Sequence, residues 1–399
     1  MIAGSRAAAP ASEPAGLGRV TLRRLPMEQK VLVASVVGLS AIGLPMVLAA
    51  SDVLSIDSGQ SPYVMLERQI LFLAVGLVVA FLASRIPLRQ LRRWNVLLFL
   101  AVLALLAAVL VPGVGQSAGG ASRWIPAGPL QIQPSELMKI AIVLFASDML
   151  ARRSERKDYW AAMVRPLGIA LVLAAGLILL QPDLGTAIVI SCVVVVLLFT
   201  AGVPLRLLGV TFGAASVFAV AFALHAPYRR ARLLSFVNPF AHAGGTGYQV
   251  VQSLSALGMG GMRGSGVGAS AATWGYLPNA QTDFVFSVVG GNLGIAGSVA
   301  VIALFGAFAW AGLRVAYKQT DPFTRFVALG VTTWVTVQAV INVGGAVDAL
   351  PVTGIPLPFV SYGGSALIVE LAGAGLLYGI ARRQGRASLL AVTTRKSQA

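Results

Sequence analysis

The residues able to do chemistry fall into four stretches, each polar or punctuated by glycine and proline within an otherwise apolar chain. The first is GGASRWIPAGPLQIQPSELMK, from Gly119 to Lys139, and the second is QPDLGT, from Gln181 to Thr186. The third lies within residues 226–283 and contains YRRARLLSFVNPF from Tyr228, GYQVVQSLSALGMGGMRGSGVGAS from Gly247 and WGYLPNAQTDF from Trp274 to Phe284. The fourth is LPVTGIPLPFVSYGGSAL, from Leu350 to Leu367. In the third stretch Arg229, Arg230, Arg232 and Arg263 face a single carboxylate, Asp283. Guanidinium groups so placed hold an anionic ligand through charge-assisted hydrogen bonds, or else rest on anionic headgroups. Asp183 stands just before Leu184, where a carboxylate caps a helix or touches a ligand. Ser135 and Glu136 open a helix after Pro134, and Arg123 with Trp124 reads as a membrane-edge anchor or a ligand contact.

Other chemistries are excluded by what is too sparse. Cys192 lies inside the apolar run AIVISCVVVVLLF and reads as a buried small hydrophobe, without the companions a disulfide framework or thiolate metal site requires. His225 and His242 are isolated loop residues, too few for a metal site. The glycine-rich 258–268 stretch reads as a flexible loop, and with no strand before it is not a nucleotide fingerprint. The formal charge of +16 comes from short basic blocks between apolar runs, without the aromatic interleaving of a nucleic-acid surface.

These stretches must be positioned by membrane helices. Hydrophobic residues make up 57% of the chain and charged residues 11%, more apolar than a soluble domain. A bilayer crossing takes ~20 apolar residues, and runs of that kind recur near 31–50, 69–86, 94–112, 134–151, 165–181, 184–202, 205–225, 284–312, 325–347 and 361–381. The expected fold is therefore all-α, a polytopic membrane protein of about ten transmembrane helices, with a long extracytoplasmic loop between the seventh and eighth. The run after Lys30 is too long for a signal-peptide core and reads as a retained helix. Residues 1–27 read as a disordered basic cytoplasmic tail, residues 28–383 as one membrane domain, and residues 384–399 as a second cytoplasmic tail. Arg85, Arg89, Arg92 and Arg93, then Arg152, Arg153, Arg156 and Lys157, then Arg206, then Arg314, Lys318 and Arg325, then Arg382, Arg383 and Arg386 fall in alternate connections. The positive-inside rule makes those connections and both termini cytoplasmic. All four polar stretches then share the outer face.

In this order and spacing, QPSE, QPDLGT, the R-x-x-x-F-x-x-P loop, TDF and PLPFVSYGGS resemble the SEDS family of cell-wall polymerases, the shape, elongation, division and sporulation proteins. The resemblance covers residues 28–383, and GYQVVQSL and GVGAS are closer to its cell-division branch than to its rod-elongation branch. It implies a glycosyltransferase that polymerises lipid II, a disaccharide peptide on undecaprenyl pyrophosphate, into β-1,4 glycan during septal wall synthesis in the bacterial inner membrane. It implies that Asp283 is the catalytic base, which takes a proton from the acceptor hydroxyl in an inverting reaction. Arg123, Trp124, Glu136, Lys139, Asp183, Arg229, Arg232, Gln249, Gln252, Ser253, Thr282, Ser361, Gly363 and Ser365 fall on its substrate-binding motifs, with Lys139 expected as a point charge at the membrane surface. Implied partners are a class B penicillin-binding protein transpeptidase and other divisome membrane proteins.

The chain departs from the family pattern beside Asp283. Where relatives read PEAHTDF this chain has Asn279 and Gln281, where they read GEELG it has Gly291 and Asn292, and a common lysine is replaced by Thr273. The missing carboxylates leave open whether a divalent cation, Mg or Mn, is bound, because hard cations prefer charged oxygen ligands. They also leave open a catalytically weakened division scaffold, and intramembrane polar residues leave open a lipid II flippase.

Overall fold

A computed structural model describes residues 26–118, 121–127, 130–153, 158–213 and 236–397. The helices are α1 (Met27–Asp57), α2 (Val64–Arg85), α3 (Leu88–Val109), α4 (Pro134–Arg153), α5 (Arg165–Leu180), α6 (Leu184–Thr200), α7 (Tyr248–Gly260), α8 (Val285–Tyr317), α9 (Pro322–Ala346) and α10 (Gly364–Ser397). A π-helical turn, Trp160–Val164, leads into α5. Helical residues 205–213 open the next expected span; its remainder, with His225, Arg229, Arg230 and Arg232, lies outside the described residues.

Among the described residues seven helices are long and apolar enough to cross a bilayer: α1, α2, α3, α5 with its leading turn, α8, α9 and α10. Helix α6 is apolar but shorter. Helix α4 carries Glu136, Lys139 and Asp148, all buried, so it spans as a central helix shielded from lipid by its neighbours. Lipid-facing helices such as α2 bury little of their surface, whereas most of α9 is enclosed. This gradient makes α4, α9 and α10 the interior of the bundle. Every expected span is occupied by a helix or, at 205–213, by the start of one.

The two ends of the bundle differ chemically. At one end Lys318 and Arg314 reach Glu28, Arg383 reaches the carbonyl of Ile86, and Asp148 is held between Arg92 and Arg152 at 2.7 and 2.9 Å. The opposite end carries the described residues of the four polar stretches. There β1 (Gln116–Ala118), β2 (Ala121–Ala127) and β3 (Leu130–Ile132) form a small antiparallel sheet in the order β1-β2-β3, with Gln116 opposite Trp124 and Ile125 opposite Ile132. Span counting shows only a connection here, because strands this short carry no usable periodicity.

Helix α8 is broken at Gly294, whose φ of 67° and ψ of −161° lie in a region essentially reserved for glycine. The break frees the carbonyls of Gly291 and Asn292, which accept from the backbone N–H groups of Ser265 and Gly266 at 3.0 and 3.1 Å. Ile295 N–H in turn donates to Gly261 O at 2.9 Å. Backbone groups within a bilayer protein must be satisfied internally, and here the glycine-rich segment expected as a flexible loop satisfies them. Gly264, at φ +80°, lies so close to Asn292 O that a side chain there has no room.

Candidate active site

The TDF segment is set by a turn at Asn279, which adopts the left-handed conformation at φ 57°. Its carbonyl accepts from the N–H groups of Thr282 and Asp283 at 3.1 and 3.0 Å. Asparagine tolerates this backbone better than most side chains, so the departure from the family pattern at this position has a structural rationale. Asp283 then precedes α8 at the mouth of a small crevice lined by Phe284, Ile341, Asn342, Gly345, Val352, Thr353, Gly354 and Ile355. Asn342 Nδ2 donates to both Asp283 O and Ile355 O at 2.8 Å. Its Oδ1 is buried and accepts from no described residue.

The PLPFVSYGGS segment braces this turn from behind. Ser361 Oγ donates to Thr282 O and accepts from Leu357 N–H at 2.9 Å, and Tyr362 N–H donates to Gln281 O at 2.8 Å. Gln69 of α2 donates to Ser361 O at 3.0 Å. The segment is non-helical yet buried, with Ile355, Leu357, Phe359 and Val360 all enclosed.

The other two stretches meet it directly. Gln133 N–H donates to Ser365 Oγ at 3.3 Å, and Ser135 Oγ donates to Asp183 Oδ2 at 2.9 Å. Asp183 Oδ1 accepts from Thr186 N–H at 3.1 Å, so the carboxylate caps α6 and ties it to α4. Gly185 packs against Thr353 and Ile355. Arg123 donates through Nε to Gln181 O at 2.9 Å and through a terminal nitrogen to Pro182 O. It thus closes the carbonyl end of α5, where orphan acceptors need a donor. Trp124 is half-buried beside it on β2.

Lys139, expected at the membrane surface, is interior instead: its side chain is 1% exposed. Lys139 Nζ lies 2.6 Å from Glu136 Oε2, a contact of charge more than a directed hydrogen bond, and donates to Gln338 Oε1 at 2.8 Å. The physical reason is α4's central position, which turns one turn of charged residues into a buried pair that compensates itself. Glu136 and Lys139 therefore lie behind the site. Ser253 is also buried on α7, bonded to Ser287 and to Ala346 O, and acts as a brace. Gln249 and Gln252 are half-buried on α7, and Gly363 is half-buried at the start of α10. Arg229 and Arg232 lie outside the described residues.

Sequence reasoning missed Asn342, Gln338 and Glu370. All three are polar residues within expected spans, and that alone marks them. Among the described residues no cluster of three His, Cys, Asp or Glu side chains stands ready for a metal ion. Around Asp283 the described donors are one carboxylate and neutral oxygens, a poor match for a tightly held Mg or Mn. The altered positions are structurally occupied instead. Asn292 Oδ1 accepts from Gly268 and Ser270 N–H at 3.1 and 3.3 Å, and Thr273 Oγ1 donates to Gly268 O at 3.1 Å.

The fold and site define a multi-pass membrane protein with a single acid in a braced crevice at one end of the bundle. A sequence model of cell cycle proteins, FTSW_RODA_SPOVE, matches residues 29–386, and the chain belongs to this family. It is 37% identical to a probable peptidoglycan glycosyltransferase FtsW of Trichlorobacter lovleyi, covering 90% of this chain and 94% of that one. It is 38% identical to the stage V sporulation protein E of Bacillus subtilis, covering 86% and 94%. Among solved structures, a peptidoglycan synthase complex described as coordinating polymerization and crosslinking contains a chain similar at TM-score 0.74 and 32% identity, covering 88% of this chain and 97% of that one. The rod shape determining protein RodA of Thermus thermophilus is similar at TM-score 0.65 and 32% identity, covering 88% and 96%.

Proposed function

We propose that this protein is a peptidoglycan glycosyltransferase that polymerises lipid II into β-1,4 glycan strands. The observation that carries the reading is that the described parts of the four polar stretches interlock through the 350–367 segment, which lines the crevice of Asp283, the one acid among the described residues there. A sugar hydroxyl is a weak nucleophile. Asp283 takes its proton as the new bond to C1 forms, while the bond from C1 to the diphosphate oxygen breaks and its electron pair leaves with undecaprenyl pyrophosphate. Base and leaving group act on opposite faces of C1, so an α-linked donor gives a β-linked product. Arg229 and Arg232 are assigned to the departing diphosphate, for which bidentate guanidinium contacts are suited. The described donors around Asp283 do not suit a divalent ion.

The basic end of the bundle is assigned to the cytoplasm by the positive-inside rule, which puts both termini inside and the Asp283 crevice outside. A class B penicillin-binding protein transpeptidase at the division septum is the proposed partner, with other divisome membrane proteins around it. The similar chain in a synthase complex that coordinates polymerization and crosslinking supports a crosslinking partner.

The test is Asp283→Asn in the purified full chain with its partner, given lipid II. Loss of a positioned base lowers polymer formation by ~10²–10⁴. Undiminished polymer from a folded variant refutes the assignment, and movement of lipid II between leaflets without polymer marks a flippase.

A further inference from the structure

Behind the crevice lies a buried polar chain that the reaction above does not use. Gln338 Oε1 accepts from Lys139 Nζ and from Trp334 Nε1 at 2.8 and 2.9 Å. Its amide nitrogen donates to Pro356 O and to Glu370 Oε1, both at 2.9 Å. Glu370 Oε2 then accepts the backbone N–H of Phe359 at 3.0 Å. Lys139, Gln338 and Glu370 are at most 2% exposed.

Two features of this chain demand a carboxylate at 370. An ionisable group inside a membrane bundle is expensive and is kept where it has a partner and a task. Both Glu370 oxygens accept, so an amide in its place always turns a donor toward a donor, whichever way it rotates. The group that Glu370 holds is itself strained: Phe359 stands at φ 63°, a conformation that a bulky L-residue adopts only when its surroundings enforce it. Two and three residues further on, Ser361 and Tyr362 grip the carbonyl of Thr282 and that of Gln281. The polar chain from Lys139 thus ends on the residues that precede Asp283.

We propose that Glu370 is a positioning residue for Asp283: it locks Phe359 in its left-handed conformation and so fixes the 355–362 segment against the TDF turn. The proposal rests on the assignment of Asp283 as base. A rigid support of this kind matters because a displacement of about 1 Å at a reacting group costs on the order of 10²-fold in rate.

The experiment compares wild type, Glu370→Gln, Glu370→Asp and Asp283→Asn as full chains with the partner transpeptidase. Polymerisation of lipid II gives kcat and KM, and amide hydrogen exchange reports on residues 355–362 and on the core of α9. Glu370→Gln is expected to lower kcat by about 10- to 100-fold with KM near the wild-type value. Exchange across 355–362 is expected to rise about tenfold while the core of α9 stays protected. Glu370→Asp keeps the carboxylate at shorter reach, recovers part of kcat, and serves as the second variant if the glutamine form does not fold. Wild-type kcat and unchanged exchange in a folded Glu370→Gln variant overturn the proposal, as does a kcat loss that merely follows the folded fraction. An active Asp283→Asn enzyme instead overturns the base assignment, and the positioning role falls with it.

Discussion

Replacing Asn342 by leucine tests whether the brace on Asp283 serves catalysis or only folding. Asn342 is 4% exposed, and its Nδ2 supplies two carbonyls, those of Asp283 and Ile355, at 2.8 Å each. Leucine has similar bulk and no donor, so both carbonyls lose their partner at ~1–3 kcal/mol each. Leucine also removes the buried Oδ1 that accepts from no described residue, which offsets one such loss and leaves a net destabilisation of about 1–3 kcal/mol. The rate suffers more. The Asp283 backbone is now free to drift from Ile355, and a shift of about 1 Å lowers kcat by roughly 10²-fold. Thermal unfolding in detergent and glycan formation from lipid II measure the two quantities on one sample. A variant that melts earlier yet polymerises at the wild-type rate refutes the positioning argument; one unchanged in both removes the clamp altogether.

Two further outcomes follow from backbone and charge. Gly294→Ala places a methyl group 2.5 Å from Gly264 N and at a φ that only glycine accepts, so it lowers stability by at least ~1–3 kcal/mol, with exchange at 261–268 rising first. Asp348, in the connection after α9, has its carboxyl pushed above the ordinary aspartate value of 3.8 by burial, and its Oδ1 accepts from no described residue. The folded state therefore binds the proton more tightly than the unfolded state. Stability falls as pH rises from the unfolded value through the higher folded one. Asp348→Asn removes this loss and suits the left-handed φ of 59°. The variant is expected to melt above wild type at neutral pH, and the difference should vanish as pH falls below 3.8. A gap independent of pH refutes the charge argument.

The spans were legible because a bilayer imposes a length and an apolar composition on any helix that crosses it. The convergence of the four stretches was legible only as a shared face, and the contacts that join them were not. Lys139 shows why. An acid and a base at i and i+3 near a helix start look like an ordinary solvated pair, and only the packing of α9 and α10 around α4 makes them interior. Asn279 and Asn292 show the reverse error. Each reads as a lost carboxylate, yet one holds a left-handed turn and the other receives two N–H groups from the glycine-rich segment. The tight turn and the helix break that require them are tertiary facts. Glu370 had a visible signal, an acid in the middle of an apolar span, but no residue in its own stretch of sequence shows what it faces.

The interruption of α8 restricts how this sequence can drift. Position 264 must lack a side chain because of the carbonyl of residue 292, position 294 must be glycine because of its own torsion angles, and residue 292 must offer an acceptor to residues 268 and 270. Residue 292 can therefore exchange only for another side chain with an acceptor oxygen, while positions 264 and 294 stay glycine. Across descendants of this chain, positions 264, 292 and 294 should therefore change at a slower pace than the lipid-facing residues of α2.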